Sequence, residues 1–133
     1  DYHRFHFPID GTAKLTRSID GQYHSVNPIA LAQVPDVYCR NQRTVTEFQS
    51  THFGQIAYIE VGAFTVASIV QTYPTGLVTK GQEKGYFQYG GSTLVLLFEP
   101  DTIEFDRDLI VDSAQQLEVR VLTGTKIGNS IAI

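Results

Sequence analysis

Gly85-Tyr86-Phe87-Gln88-Tyr89-Gly90-Gly91-Ser92-Thr93-Leu94-Val95-Leu96-Leu97-Phe98 passes from a polar, glycine-rich segment into an apolar one without a break. The continuous apolar run at 94–98 predicts a strand buried on both faces. The Gly-Gly-Ser-Thr before it sits where a chain needs a permissive turn into such a strand. The same junction puts the Ser92 hydroxyl directly after the unshielded carbonyl of Gly91. Read by itself, the stretch is a tight turn leading into a core strand.

On both sides of it the chain reads almost entirely as strand. Thr12-Ala13-Lys14-Leu15-Thr16-Arg17, Arg43-Thr44-Val45-Thr46-Glu47-Phe48 and Leu117-Glu118-Val119-Arg120-Val121 alternate in polarity, as strands with one wet face do. Gln55-Ile56-Ala57-Tyr58-Ile59-Glu60-Val61 and Thr65-Val66-Ala67-Ser68-Ile69-Val70 are rich in β-branched residues. Helical periodicity is confined to 29–33 and 106–114. Asp10-Gly11, Asp20-Gly21, Thr75-Gly76 and Thr123-Gly124 supply turn residues between candidate strands, and the prolines fall at strand edges. The expected fold is all-β with minor helix, a compact β-sandwich or β-barrel with long crossing connections. Ile9-Asp10-Gly11-Thr12, Val78-Thr79-Lys80-Gly81 and the segment 122–128 resemble the hairpins of barrel-sandwich carrier modules. No linker or low-complexity stretch divides residues 1–133, which read as one domain.

Composition narrows the function. With 42% hydrophobic and 18% charged residues the chain is globular, not disordered. Its net charge of −4, with the basic residues scattered, argues against a nucleic-acid groove. A single cysteine, Cys39, excludes an internal disulfide and reads as a small buried or half-buried hydrophobe. No apolar run approaches the roughly 20 residues that span a bilayer, and no secretory signal is visible. Residue 1 opens immediately before Tyr2-His3-Arg4-Phe5-His6-Phe7-Pro8, so the expectation is a chain trimmed from a longer parent.

That histidine segment and the Gly-Gly-Ser-Thr junction together resemble the phosphatidylserine decarboxylase family of pyruvoyl-dependent enzymes. Further matching runs follow in the family's order: Tyr23-His24-Ser25-Val26-Asn27-Pro28, Asn41-Gln42-Arg43, Glu60-Val61-Gly62-Ala63, Lys80-Gly81-Gln82-Glu83-Lys84-Gly85-Tyr86-Phe87 and Lys126-Ile127-Gly128. The resemblance implies that the bond between Gly91 and Ser92 cuts itself. The Ser92 hydroxyl attacks the Gly91 carbonyl, the acyl group moves from nitrogen to oxygen, and elimination followed by hydrolysis leaves an N-terminal pyruvoyl group and ammonia. Serine needs a neighbouring base for such an attack, and glycine before it leaves the carbonyl open. The resulting ketone takes the substrate's amine and serves as electron sink for loss of carbon dioxide, so the cofactor is made from Ser92 and no metal is expected.

His3 and His6 are candidates for proton transfer, since imidazole titrates near neutrality. Their spacing of three suits a helix face or a bent extended segment. A His-x-x-His pair is otherwise structural or surface-exposed, and no cysteine or acidic partner at ligand spacing supports a metal. By resemblance, His6 activates Ser92 for self-cleavage and His3 belongs to the decarboxylation site. The family also uses an aspartate in a Pro-x-Asp-Gly motif upstream of the histidines, which this chain does not contain. Pro8-Ile9-Asp10-Gly11 follows them instead, so Asp10 reads as a turn residue.

Tyr86, Phe87 and Thr93 are candidate substrate-binding residues, with Tyr89 beside them; aromatics at such positions also simply pack on a core. His24 and His52 read as solvated. Asp101, Glu104, Asp106 and Asp108 read as an exposed acidic loop. The implied substrate is phosphatidylserine, converted to phosphatidylethanolamine. A free aromatic amino acid, as in similar soluble decarboxylases, is the alternative, and a non-enzymatic β-barrel carrier or binding module is the reading from another class. Peripheral membrane contact, a membrane-associated or cytoplasmic location, and a homo-oligomer without nucleic acid complete the expectations.

Overall fold

The structure, a computed structural model, describes residues 3–63, 68–88 and 93–131. Their strands are β1 (Arg4–His6), β2 (Gly11–Ala13), β3 (Arg17–Ile19), β4 (Arg43–Ser50), β5 (Gly54–Val61), β6 (Ser68–Gln71), β7 (Gly76–Val78), β8 (Glu83–Gln88), β9 (Thr93–Phe98), β10 (Ile103–Phe105) and β11 (Gly128–Ser130). Short helices α1 (Pro28–Gln33), α2 (Val37–Arg40) and α3 (Arg107–Ala114) occupy connections. The larger sheet runs β7-β2-β4-β5-β9, with β3 added alongside β4; the smaller runs β1-β8-β6, and β10 pairs β11. The strand pairs are antiparallel, and the sheets have free ends, so the all-β expectation holds as stacked open sheets and the closed-barrel option does not.

Alternation along β4 and β5 puts Phe48, Ile56 and Tyr58 on the buried face. Phe7, Ala13, Phe48, Ile56 and Val78 form one buried cluster. Phe5, Tyr58 and Phe87 form a second, and Leu96 of β9 packs against both. The aromatic rings meet tilted or edge-on, Phe5 to Phe87 at 5.0 Å and Phe7 to Phe48 at 5.5 Å between centroids.

Four expectations are corrected. β9 is the end strand of its sheet, and Leu94 and Leu97 are exposed, so the apolar run is not covered on both faces. Residues 117–121 alternate in polarity but form no strand, and Leu117 and Val121 are exposed. The run 12–17 is split between β2 and β3, which pair β4 in registers one residue apart: Ala13 faces Phe48, but Arg17 faces Val45. Cys39 lies exposed in α2. The predicted strand at 65–70 lies partly outside the described residues, its end appearing as β6. Both helical segments are found, and α2 was not anticipated.

Candidate active site

β1 carries the histidines and lies against β8, the strand that leads into the Gly91–Ser92 junction. Arg4 faces Tyr86 and Phe5 faces Gly85, but His6 faces Glu83, so Lys84 is an extra residue with no partner on β1. This is a β-bulge, and it changes which way two charged side chains point. Counting back from the buried Phe87, strict alternation would send Lys84 outward and Glu83 inward. Instead Lys84 and Gly85 are both buried, while Glu83 turns to the outer face.

There Glu83 accepts from Arg4 at 2.7 Å and from the Thr72 hydroxyl at 2.9 Å. Those two hydrogen bonds, with the nearby charges of Arg4 and His6, hold its carboxyl below the usual carboxylate range. The Arg4 guanidinium also lies 5.3 Å from the Tyr86 ring centroid.

On the inner face, Lys84 reaches Glu60 of β5, Nζ to Oε1 at 2.5 Å, both side chains fully buried. Gln71 accepts from Lys84 at 2.7 Å, and the Thr44 hydroxyl donates to the other Glu60 oxygen. The ammonium sits 4.9 Å from the Tyr58 ring, 5.1 Å from Tyr73 and 5.6 Å from Phe5. Burial pushes the Glu60 carboxyl up and the Lys84 ammonium down, and their mutual attraction opposes both shifts. Burial, and then the Glu60 charge, raise the Tyr58 phenol, which stays protonated and donates to the His6 carbonyl at 3.1 Å.

Several of the matching sequence runs converge here. Asn41, fully buried, accepts from the His24 N–H at 2.9 Å and donates to the His24 carbonyl at 2.7 Å and the Gly62 carbonyl at 2.8 Å. Arg43 donates to the Cys39 carbonyl at 2.7 Å. Val61, next to Glu60, faces Thr93 in the β5–β9 ladder. The two runs at 41–43 and 60–63 therefore brace the strand against which β9 begins.

Of the expected site residues, Gly91, Ser92 and the neighbouring Tyr89 lie outside the described residues. Gln88 ends β8 in the small sheet and Thr93 begins β9 in the large one, so residues 89–92 connect the two sheets. Thr93 is half-buried. The His3 carbonyl accepts from the Phe87 N–H at 2.9 Å, which puts the main chain of His3 at the junction end of β8. His6 is half-buried beside Glu83 at the other end, about 16 Å from Gln88 at the usual strand rise. Tyr86 is half-buried under Arg4, whereas Phe87 spends its ring on the core against Phe5.

Asp10 lies just before β2, outside any assigned turn, and its carboxylate accepts from the Lys80 N–H at 2.7 Å. Asp106 pairs with Lys126 at 2.8 Å, and no group suited to hold a metal is found among the described residues. A carrier module needs an attachment lysine at a hairpin tip, for which Lys80 and Lys84 are the candidates, and Lys84 is sealed in the core. Nothing in the sequence pointed to Glu60 and Lys84 as partners in the site. Glu60 gave a signal as a charged residue inside the β-branched run 55–61, but Lys84 lies in a polar run and the bulge hides the face it takes.

No helix among the described residues is long and apolar enough to cross a membrane. No solved structure matches the chain. The phosphatidylserine decarboxylase family profile matches residues 1–129. The phosphatidylserine decarboxylase proenzyme of Clostridium novyi is 50% identical over 132 residues, covering 98% of this chain and 45% of the relative. That of Chlamydia felis is 49% identical, covering 98% and 44%. The chain thus spans less than half the length of the relatives it matches. A match over nearly all of its residues, with the histidine segment and the Gly-Gly-Ser-Thr in place, means that the chain belongs to the phosphatidylserine decarboxylase family.

Proposed function

We propose that this chain is the catalytic region of a pyruvoyl-dependent phosphatidylserine decarboxylase, matured by self-cleavage between Gly91 and Ser92. The observation that carries the reading is family membership across residues 1–129, with the Gly91–Ser92 bond falling, in chain order, after β8 and just before Thr93 opens β9. A cut there falls outside the described β8 and β9, so the serine would become the first residue of a fragment whose β9 is still paired with β5. Such a group, once formed, supplies an electrophilic ketone that draws electrons from the substrate as carbon dioxide leaves.

The chain's own residues have separate tasks in this scheme. Ser92 is the nucleophile, Gly91 the unshielded acyl donor, and Thr93 fixes the start of β9 against Val61. The family resemblance, rather than the strand geometry, assigns His6 to activation of Ser92 and His3 to proton transfer during decarboxylation; on β8 it is His3 whose main chain lies at the junction end. Tyr86, with its face under the Arg4 guanidinium, is the exposed-side candidate for contact with an anionic substrate. Phe87 contributes from beneath by fixing Phe5 and thus the histidine strand.

The test is intact mass of the full-length protein under denaturing conditions. Cleavage predicts two fragments, one ending at Gly91 and one beginning at residue 92 with ketone in place of amine. A single uncut species in the wild type, or cleavage unaffected by Ser92→Ala, overturns the reading. Decarboxylation of phosphatidylserine in vesicles then identifies the substrate, and activity on free amino acids alone would replace it.

A further inference from the structure

Glu60 and Lys84 occupy a place in the fold that neither general stability nor the proposed chemistry requires. A buried ion pair is commonly no more stabilising than apolar residues of similar volume. Here, however, the pair spans the two sheets that meet at the junction. Lys84 is the bulged residue of β8, and Glu60 lies on β5 facing Leu94, one pair along from Val61 and Thr93. The pair therefore links the strand entering the junction with the strand that fixes the one leaving it.

It also bears on the histidine strand by two routes. The bulge occupied by Lys84 is what turns Glu83 outward to Arg4 and the cross-strand position of His6. The Tyr58 ring under the Lys84 ammonium carries the hydroxyl that holds the His6 carbonyl. Every side-chain partner of the pair is supplied, by Gln71 and Thr44, so the arrangement is fully satisfied. Bulges recur beside active sites because they re-aim side chains.

We propose that Glu60 and Lys84 are positioning residues for self-cleavage: their ion pair holds the Lys84 bulge and so fixes His6 and the placement of β8 against β5, the strand that carries β9. This rests on the cleavage reading above, but its first test does not. In full-length protein kept uncut by Ser92→Ala, the histidine ring resonances are compared with and without the neutral, similarly sized pair Glu60→Gln/Lys84→Met. Withdrawal of Glu83 from His6 is expected to move the His6 ring signals and leave those of His24 and His52 in place. A merely structural loss would not single out His6, and unmoved His6 signals overturn the proposal.

The second test uses protein with Ser92 intact. The neutral pair is expected to slow cleavage at least about tenfold, as a small displacement of reacting groups does, while cooperative unfolding is kept. Cleavage within twofold of wild type overturns the positioning role and leaves the cleavage reading standing. A wild type that never cleaves overturns that reading, and the ring signals still judge the bulge. If the double variant fails to fold, Thr44→Val removes one donor to Glu60 with little change of shape. It is expected to move the His6 signals and slow cleavage in the same direction, and failure to do either overturns the proposal.

Discussion

Asn41 Nδ2 donates to the Gly62 carbonyl at 2.8 Å from a position with no solvent exposure, and the same side chain closes two further bonds to His24. One amide thus ties the segment before β4 to the residue after β5, and both to the 23–28 loop. Asn41→Leu keeps most of the volume but leaves one N–H and two carbonyls without their partner. The expected loss is about 3 kcal/mol, seen as a lower urea midpoint. Asn41→Asp keeps the acceptor but turns an oxygen toward two carbonyls, so it should lose at least as much. Full stability in both variants would deny the brace.

Lys84→Met removes the cation from a carboxylate that stays buried. Breaking one side of such a pair costs about 3–5 kcal/mol. Glu60 already titrates above its ordinary value because of burial, and Lys84 is the largest influence pulling it down. Without that pull its folded-state value rises further. A carboxyl raised on folding gives stability that is fully present below the unfolded value near 4.5 and is lost as pH rises through the folded one. The variant should therefore melt higher at pH 5 than at pH 8, by a wider margin than wild type. A melting temperature independent of pH across that range would contradict the assignment.

Gly85 lies where β6, β8 and β1 come closest. A Cβ there would stand 2.1 Å from the Val70 carbonyl oxygen and 2.8 Å from the Phe5 ring. The oxygen belongs to the paired strand and has little room to retreat, so Gly85→Ala should destabilise by about 1–3 kcal/mol or more. Because the clash falls beside the Lys84 bulge, cleavage should slow as well. Thermal unfolding and the fraction of cut chain are the two readouts, and an unchanged melting temperature would rule out the close packing.

Much of this was legible beforehand. The regular alternation at 43–48 and the β-branched run at 55–61 announced β4 and β5, because long paired strands state their buried face in sequence. Leu117 to Val121 shows the limit: alternation supplies one face for a strand, but a ladder also needs a partner. Leu94 and Leu97 show another, since apolar content does not say how many neighbours a strand will have. The motif residues 60, 84 and 85 could be matched to a family, but their work could not be read. A one-residue bulge reverses the inside–outside count from Lys84 onward, and only the register reveals it.

Cleavage at Gly91–Ser92 would divide the chain into fragments 1–91 and 92–133 without separating them. β9 is joined to β5 along six register positions, from Ile56–Phe98 to Val61–Thr93. Glu99 accepts from the Gln55 N–H at 3.0 Å, Phe98 meets Phe53 at 6.1 Å, and Leu96 packs against both core clusters. Apart from the Glu99 carboxylate these contacts are main-chain and apolar, while the Arg4–Glu83, Glu60–Lys84 and Asp106–Lys126 ion pairs each fall within one fragment. The two fragments should co-elute in native buffer, remain together in high salt, and part in denaturant. Leu96→Ala, removing about 2–3 kcal/mol of packing, should lower the denaturant concentration at which they part. Separate elution of wild-type fragments in native buffer would show that β9 is not what retains the new N-terminus.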